Sequence, residues 1–298
     1  MATTLAIVGA GRVGRALGRD LHEAGWNISV VVSRTAASAR KAVRIIGAGQ
    51  PFSELTRLIL GASVVLIAVP DDKISDIAKQ LAHLGGDEWR GKVVLHTSGA
   101  LDSSVLEPLA KLGAATGSLH PMQSFSSRTA PPLEGVWMVM EGKPAALQMA
   151  RRIARSVGGE PVRLHGSDKL AYHAANVLVA GHVLALLEAG VTVLSQTGFS
   201  RRQASGALLR LTRQIVQNFE RFGPAASWTG PAARGDFGTI AAHARALRSF
   251  PREYQEAYAA VHRLGARVLA RQPEKMLAQL EQALSTAGDG GSKHRRPK

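Results

Sequence analysis

The pattern of apolar and polar positions divides this chain into two halves. In the first half, short apolar runs alternate with segments whose apolar residues recur at helical spacing, which predicts strands joined by helices. The predicted strands are residues 5–8, 28–32, 64–69, 93–96, 114–119, 136–140 and 161–164. Several of these runs are apolar without a break, as in parallel strands that are covered on both faces. The alternation predicts a doubly wound α/β fold with a mostly parallel sheet that binds ligands at the carboxyl ends of its strands.

Capping residues and glycine or proline breaks predict the helices between these strands. The first helix follows the glycine-rich start of the chain and ends at Ala24 and Gly25, and the others cover about residues 35–46, 53–61, 71–84 and 144–157. A further short helix ends near Lys111, where the spacing of Ser104 and Glu107 predicts a capping box.

No strand is predicted beyond Gly166. Ser167 or Asp168 is expected to cap a long helix over residues 169–196. This helix is apolar on all sides, which is unusual for a helix surrounded by water. We therefore expect a second copy of the chain to cover it, in a homodimer formed through the helical domain.

The remaining helices complete an all-helical second half. One begins at a capping box formed by Ser200 and Gln203 and is expected to end at Phe222, because Gly223-Pro224 follows. Others are predicted over about residues 237–248, 251–270 and 273–284. The chain is thus predicted to contain two domains, residues 1–165 and 166–286, followed by a disordered basic tail at residues 287–298.

Composition narrows the class of protein. The formal net charge is +15, but the arginines are spread singly and aromatic residues are few, so nucleic-acid binding is not favoured. There are no cysteines, which excludes disulfides and thiolate metal sites. No apolar segment is expected to span a membrane, and the first residues do not resemble a signal or transit peptide. These features predict a cytoplasmic protein.

A glycine-rich turn follows the first predicted strand. The residues Gly9-Ala10-Gly11-Arg12-Val13-Gly14 have the spacing of a dinucleotide-binding turn. Gly9 permits the tight turn, Gly11 permits close approach of a pyrophosphate, and Gly14 permits close packing of helix on strand. The free N–H groups at the start of the following helix would face the phosphates.

The end of the second strand indicates which dinucleotide is bound. An acidic residue there would bind the ribose 2′-hydroxyl of NAD(H). Ser33 and Arg34 occupy the position instead, with Arg40 and Lys41 close behind. A hydroxyl followed by a guanidinium favours the 2′-phosphate of NADP(H). Alternatively, Arg34 and Arg40 are solvated surface charges.

Three further strand ends are candidate parts of the same site. Val69 and Pro70 follow one strand and Ser98 follows the next, where we expect them to flank the nicotinamide end of the cofactor. His120 follows the third, and its imidazole could donate a proton or a hydrogen bond to a substrate carbonyl. The alternative is that His120 forms only structural hydrogen bonds.

Polar residues also lie at the start of the long apolar helix. Tyr172 and Asn176 are four residues apart and share a helix face, with His173 beside them. Asn176 could hold a substrate carbonyl or amide, while Tyr172 or His173 relays a proton. Alternatively, these side chains satisfy one another or cap a partner helix.

The segment Thr229-Gly230-Pro231-Ala232-Ala233-Arg234-Gly235-Asp236 is the strongest candidate in the helical half. Arg234 could bind a substrate carboxylate through two hydrogen bonds, which favours an anionic small molecule. Asp236 could orient Arg234 or His243. In the alternative interpretation, Arg234 and Asp236 form a buried ion pair that fixes the loop. The histidines lack the paired spacing of metal ligands, so no metal is predicted.

These motifs resemble a known superfamily. The glycine turn, the segment Ala68-Val69-Pro70-Asp71 and the helical second half are similar to pyrroline-5-carboxylate reductases and β-hydroxyacid dehydrogenases. Within that superfamily, Leu119-His120-Pro121-Met122-Gln123-Ser124-Phe125, Tyr172-His173-Ala174-Ala175-Asn176 and residues 229–236 resemble a bacterial family that pairs a Rossmann-like domain with a helical domain of unknown function. The resemblance implies an NADP-dependent oxidoreductase with a dimerisation domain like the C-terminal domain of 6-phosphogluconate dehydrogenase.

Two departures limit what the resemblance implies. β-Hydroxyacid dehydrogenases carry a catalytic lysine four residues before an asparagine, whereas Tyr172 holds that place before Asn176 here and Lys169 lies one turn earlier. Pyrroline-5-carboxylate reductases carry a substrate loop rich in serine, threonine and glycine where this chain has Arg234 and Asp236. Neither the lysine-driven mechanism nor the proline-pathway substrate is transferred.

The residues together predict an NADP(H)-dependent oxidoreductase that acts on a small carbonyl, imine or hydroxy acid. Its substrate is expected between the carboxyl edge of the sheet and the helical domain. The alternative is a sensor or regulatory protein that binds NADP(H) without turnover.

Overall fold

The computed structural model describes residues 3–126 and 131–286. The chain forms two compact units that divide between Gly181 and His182. The predicted domain boundary after residue 165 lies before this division and stays a prediction. The predicted basic tail at residues 287–298 lies outside the described residues.

The first unit contains a central sheet with helices on both faces. Its strands are β1 (Thr4–Val8), β2 (Asn27–Val32), β3 (Gln50–Phe52), β4 (Val64–Ile67), β5 (Val93–His96), β6 (Ala115–Pro121), β7 (Trp137–Gly142) and β8 (Glu160–Arg163). Its helices are α1 (Arg12–Glu23), α2 (Ala36–Ile46), α3 (Asp71–Gly85), α4 (Glu107–Lys111), α5 (Pro144–Ser156) and α6 (Lys169–Asn176). Short 3₁₀ turns cover Arg57–Gly61, Gly86–Trp89, Ser103–Leu106 and Gly166–Asp168.

The strand order is β3-β2-β1-β4-β5-β6-β7-β8, and only the β6–β7 pair is antiparallel among the described strands. This order confirms the predicted doubly wound parallel sheet. The connections leave in opposite directions at β1 and β4, so the carboxyl ends of these two strands flank the cleft where such sheets bind ligands.

Alternate residues of the strands fill two cores, one on each face of the sheet. In β1, Ile7 packs in the core that contains Leu17 of α1, whereas Val8 packs in the core that contains Ile74 of α3. The period of two in a strand produces this division. Both faces are buried, which explains the uninterrupted apolar runs in the sequence.

Strand β3 was not predicted. It has three residues, includes Pro51, and pairs only with β2, at the edge of the sheet. Proline is tolerated at such an edge because its missing N–H removes no hydrogen bond from the interior of the sheet. A strand this short leaves no periodic pattern to detect.

The second unit is all-helical in the described residues, as predicted. Its helices are α7 (His182–Ser195), α8 (Arg201–Ser227), α9 (Phe237–Ala246), α10 (Arg252–Leu269) and α11 (Pro273–Thr286). A small core contains Ala232, Ile240, Ala266 and Leu280.

The helix ends correct several sequence predictions. The capping box of Ser200 and Gln203 is confirmed at the start of α8. The predicted box of Ser104 and Glu107 is wrong, because Asp102 accepts the capping hydrogen bond from the Ser104 N–H instead.

One further end prediction is wrong and one is confirmed. Neither Ser167, which lies inside a 3₁₀ turn, nor Asp168 caps α6 with its side chain. Gly223-Pro224 ends the first part of α8 as predicted, because Gly223 adopts the non-helical angles φ = 75° and ψ = 177°, and a second short helical part follows to Ser227.

The predicted helix over residues 169–196 forms as α6, a π-helical stretch at Val177–Gly181, and α7. The expectation that no segment could span a membrane is wrong by length and composition, because the helical segment Gly166–Ser195 is long and apolar enough. Little of its apolar window is buried within a single chain. Such a helix is weak evidence for a membrane, because a covered helix of a soluble protein has the same composition.

Candidate active site

A cleft of about 910 Å³ lies at the carboxyl ends of β1, β2 and β4. Residues of the glycine turn line it, together with Ser33 and Arg34 after β2 and Val69 and Pro70 after β4. These positions are the ones that the sequence assigned to a dinucleotide. The volume is ample for a small-molecule ligand.

The glycines of the turn have distinct roles. Gly9 has φ = 98°, and a Cβ there would lie 2.5 Å from the main-chain oxygen of Ala68. A Cβ on Gly14 would collide with the main-chain oxygen of Gly9, so Gly14 lets α1 pack directly on the turn. At Gly11, by contrast, the nearest atom to a Cβ is 3.9 Å away. Space is therefore left at Gly11, where a pyrophosphate would approach.

The start of α1 is suited to an anion. Gly11 precedes the first residue of the helix, and no side chain caps the free N–H groups there. The first turn of α1 contains no acidic residue. Free N–H groups and the positive end of the helix dipole favour a phosphate at this position.

Basic and hydroxyl side chains surround the end of the cleft near β2. Ser33, Arg34, Ser38 and Lys41 line it, and Arg15 of α1 does so as well. Arg40 lies instead in a separate hollow with Pro51 and other residues. This arrangement fits a 2′-phosphate, because guanidinium, ammonium and hydroxyl donors line the cleft and β2 supplies no carboxylate, although Glu54 beyond β3 also lines it.

The other predicted cofactor residues differ in their placement. Arg12 donates from Nη1 to the main-chain oxygen of Phe125 at 3.0 Å, and Val13 packs against the core. Ser98 does not line the cleft. Its hydroxyl donates to Oδ2 of Asp71 at 2.8 Å and accepts from the N–H of Leu101. Ser98 therefore fixes the loop after β5, and its contact with a cofactor stays a prediction.

Lys169, the first residue of α6, is almost fully buried. Its Nζ donates to the main-chain oxygen of Ser98 at 2.7 Å and to Oγ of Ser118 at 3.1 Å. Burial lowers the pKa of Lys169 to about 8, although nearby carboxylates oppose the shift. A lysine amine with such a pKa can exchange a proton near neutral pH.

His120 lies at the end of β6 and contacts α6. Its Nδ1 is 2.6 Å from the hydroxyl of Tyr172, and the two rings meet edge to face. Burial, followed by the charge of Lys169, lowers the pKa of His120 to about 4. Burial raises the pKa of Tyr172. At neutral pH the pair therefore consists of a neutral imidazole and a protonated phenol.

Gly99 is packed against two imidazoles. A Cβ at this position would lie 2.5 Å from Nδ1 of His173 and 2.9 Å from Nε2 of His120. Among the described residues, Nδ1 of His173 and Nδ2 of Asn176 are buried without a hydrogen-bond partner of good geometry, although the Asn176 side chain lies near enough to Tyr172 to oppose the rise of its pKa. Buried polar atoms normally have partners, so these two atoms are candidate contacts for a ligand.

His96 is a buried histidine beside this group. Its Nε2 is 3.1 Å from the main-chain oxygen of Asp102, and its Nδ1 accepts from the Ser98 N–H at 3.2 Å. Burial, and then the charge of Lys169, lower the pKa of His96 to about 4. Both ring nitrogens have partners, so His96 holds the loop at Ser98 in place.

Arg234, Asp236 and His243 belong to the second unit. Asp236 caps α9 by accepting from the N–H of Thr239 at 3.1 Å, and hydrogen bonds from the side chain and then the main chain of Thr239 lower the pKa of its carboxyl group. Nδ1 of His243 is 2.9 Å from the hydroxyl of Tyr258. Arg234 and Asp236 are both exposed, and no ion pair joins them in the described part of the chain. The alternative of a buried ion pair is therefore wrong, and a substrate-binding role for Arg234 stays a prediction.

Sequence analysis did not assign Lys169 or Arg15 to the site. Arg15 is one turn beyond Arg12, which places it on the side of α1 that faces the cleft. Lys169 could have been suspected because it is a lone lysine at the start of an apolar helix. Within residues 3–126 and 131–286, no group of histidine, aspartate and glutamate side chains could hold a metal ion.

Comparisons with known proteins agree with the fold. A model described as a Rossmann-like domain matches residues 2–121, and a model described as domain of unknown function DUF2520 matches residues 136–264. The structure resembles a candidate NADP oxidoreductase from Bacteroides fragilis, with 20% identity, a TM-score of 0.72, and coverage of 87% of this chain and 96% of that one.

Two other solved structures are similar over most of their length. For an imine reductase from Streptomyces aurantiacus, the identity is 15%, the TM-score is 0.65, and the coverage is 93% of this chain and 99% of that one. For a pyrroline-5-carboxylate reductase from Coxiella burnetii, the values are 14%, 0.58, 97% and 98%. At these identities the similarity shows a shared fold. The chain combines a Rossmann-like domain with a domain of the DUF2520 family, the pairing that its motifs predict.

Proposed function

We propose that this chain is an NADP(H)-dependent oxidoreductase that acts on a small carbonyl, imine or hydroxy acid. The observation that carries the proposal is the cleft, in which an uncapped helix start at Gly11 and the basic residues Arg34 and Lys41 line one continuous space. The names of the similar structures, which include reductases, support the same class of reaction.

The chain's own residues fit the cofactor. The turn at Gly9 and Gly11 would hold the pyrophosphate, and Ser33, Arg34 and Lys41 would hold the 2′-phosphate. A bound NADPH would supply hydride to the substrate, or NADP⁺ would accept it. Val69 and Pro70 close the side of the cleft at β4.

The buried polar group would handle the proton. Lys169, with a pKa of about 8, is populated in both protonation states near neutral pH. Neutral His120 and protonated Tyr172 can donate or accept hydrogen bonds without carrying charge. We assign proton exchange to Lys169 and orientation of a substrate oxygen or nitrogen to the His120–Tyr172 pair and Asn176.

A turnover assay tests the proposal. NADPH oxidation is followed with small ketones and cyclic imines, and NADP⁺ reduction with hydroxy acids. We expect turnover with at least one class, loss of turnover in Lys169→Met, and unchanged NADPH binding in that variant. Cofactor binding without turnover in either direction would favour a sensor. Absence of NADP(H) binding would contradict both functions.

We also propose a cytoplasmic homodimer. The helical segment from α6 to α7 exposes large apolar side chains, and α8 exposes more. Among them are Leu170, Leu178, Val179, Leu184, Leu211, Val216, Phe219 and Phe222. Exposed large apolar side chains in such number usually mark an interface. A second copy is the natural occupant, because identical surfaces meet in a twofold dimer.

A further inference from the structure

We propose that Ser118 and Glu141 form a proton relay that connects the buried Lys169 amine with solvent in a hollow lined by Ser103 and Glu141, which shares no lining residue with the dinucleotide cleft. The inference rests on the proposed function, because it supplies the route by which the proton on Lys169 is replaced between turnovers.

The relay follows one row of the sheet. Ser118 of β6 is paired directly with His96 of β5 and with Glu141 of β7. Side chains at paired positions lie on the same face of a sheet. The row therefore places three polar side chains next to one another, all of them buried.

The hydrogen bonds run in one direction. Nζ of Lys169 donates to Oγ of Ser118 at 3.1 Å, and Oγ of Ser118 donates to Oε2 of Glu141 at 3.5 Å. The Ser118 side chain is fully buried, so its hydroxyl can exchange protons only through these neighbours. This is the connectivity that a relay requires, with one hydroxyl that both accepts and donates, and the 3.5 Å contact must shorten for a proton to pass.

Glu141 reaches the surface at the other end. Its Oε1 accepts from Oγ of Ser103 at 2.6 Å, and its Oε2 accepts from the N–H of Ser103 at 2.7 Å. A hollow of about 540 Å³ opens here, and Glu141 lines it together with Ser103, Ser104, Thr116, Lys111 and Lys143. Water in this hollow can give a proton to Glu141 or take one from it.

The transfer from Lys169 through Ser118 to Glu141 conserves protons and charge. The Lys169 ammonium passes one proton to Oγ of Ser118 while Ser118 passes its own proton to the Glu141 carboxylate. The products are a neutral amine, an unchanged hydroxyl and a neutral carboxylic acid, which then releases the proton to water. The reverse sequence recharges Lys169 after it has protonated a substrate.

A purely structural role explains less of this arrangement. Glu141 does fix the 3₁₀ turn Ser103–Leu106 through Ser103, but this requires no contact with β6. The Ser118 hydroxyl contacts both Glu141 and Lys169, which a role confined to the turn does not require. Besides Glu141, the carboxylates of Asp71 and Asp102 favour the charged form of Lys169. The charge of Lys169 in turn disfavours the protonated forms of His96 and His120.

The test measures proton exchange without any substrate. In ¹⁵N-lysine-labelled full-length protein, the exchange of ammonium protons with water is measured by NMR at Lys169, assigned with Lys169→Met. We expect Ser118→Ala and Glu141→Gln each to slow this exchange about tenfold or more, because each interrupts the relay. Glu141→Gln keeps an oxygen that can accept from Ser103.

Two controls separate a relay from general loosening. Lys92 is an internal reference, because its Nζ is held by the main-chain oxygens of Leu60 and Ala62 outside the relay. Ser104→Ala alters the same hollow without touching the relay. The exchange rate at Lys92 should be unchanged in Ser118→Ala and Glu141→Gln. The exchange rate at Lys169 should be unchanged in Ser104→Ala.

The exchange measurement tests the proton relay independently of the proposed oxidoreductase function. Exchange at Lys169 within about twofold of the parent in both relay variants, or equal slowing in Ser104→Ala, would overturn the relay. Unfolding of Glu141→Gln would show a structural role only and would also overturn it. If no substrate is turned over, the exchange measurement still reports on the relay. If turnover occurs but exchange is unaffected, only the relay fails.

Discussion

The hydroxyl of Tyr172 lies 2.6 Å from Nδ1 of His120, although the two residues are 52 positions apart in the chain. The contact joins the end of β6 to α6 and brings together two motifs that the sequence could only propose separately. His173 completes the group, with its ring centroid 5.9 Å from that of His120. The end of the sheet and the start of the apolar helix thus form one polar group.

Gly99 controls the spacing of this group. Gly99→Ala would place a methyl group against the rings of His120 and His173, and we expect it to destabilise the protein by about 1–3 kcal/mol and to displace the His120–Tyr172 contact. Urea unfolding measures the first effect and imidazole NMR shifts the second.

Gly206→Ala in α8 is the matched control, because no atom lies within 4 Å of a Cβ there. It should be neutral or stabilising by roughly 0.5–1 kcal/mol. Equal effects of the two substitutions would contradict the packing argument.

Cofactor preference should depend on the residues after β2. We expect the protein to bind NADPH at least about tenfold more tightly than NADH, a difference of roughly 1.4 kcal/mol, and Arg34→Ala and Lys41→Ala each to reduce the preference. Arg40→Ala should leave it unchanged, because Arg40 lies in a different hollow. Titration calorimetry measures all four proteins. Equal affinity of the parent protein for NADPH and NADH would contradict the prediction.

Folding stability should decrease in mild acid because His96 and His120 are neutral in the folded protein. Their pKa of about 4 in the folded protein is lower than the ordinary histidine value of 6.5, so the unfolded chain binds more protons between these pH values. Each neutral histidine makes its full contribution to the free energy of unfolding above about pH 6.5. This contribution, up to ~3 kcal/mol for each histidine, is lost as the pH falls toward about 4.

Urea unfolding at neutral pH and at about pH 5 checks this dependence. His96→Gln should flatten it, whereas His83→Gln, on the exposed surface of α3, should not. A parent protein that is equally stable at both pH values would contradict the prediction.

Arg234 should affect substrate rather than stability. Because Arg234 is exposed and unpaired with Asp236, Arg234→Ala and Arg234→Lys should keep the parent's melting temperature and NADPH affinity while losing turnover. Asp236→Ala, which removes the cap of α9, should instead cost about 1 kcal/mol of stability. A sharp drop in melting temperature for Arg234→Ala would assign Arg234 to the scaffold.

The homodimer prediction is tested by sedimentation with a matched pair of substitutions. Sedimentation should show a dimer at micromolar concentration. Leu184→Lys should shift it toward the monomer, because this leucine is 70% exposed on α7. Leu58→Lys, at a leucine 54% exposed in the first unit, should not. A well-behaved monomeric parent would show that the apolar surface has another occupant.

The sequence predicts the elements whose physics is local. Buried strands such as β4 and the capping box at Ser200 were found because apolar runs and hydroxyl–glutamine spacing are visible in a few residues. Strand β3 was missed because Pro51 occupies its centre and only β2 pairs with it.

Fewer of the contacts in the candidate site could be predicted from the sequence. Lys169 is recognisable as part of the group only once Ser98 and Ser118 are beside it, and both contacts join residues far apart in the sequence. Asp236 was expected to orient Arg234 or His243, which stays a prediction, and its position directly before α9 also makes it a cap. Capping is a local property, so this role could have been predicted.

The turn at Gly9 has a thermodynamic consequence for ligand binding. The N–H groups of Gly9 and Ala10 both donate to the main-chain oxygen of Val32, at 2.9 and 3.2 Å, and Gly14 packs on the turn from the other side. The protein's own hydrogen bonds therefore fix the main chain that would receive a pyrophosphate. Binding would restrict little backbone there, so the loss of conformational entropy should be small and the affinity correspondingly high for so polar a contact.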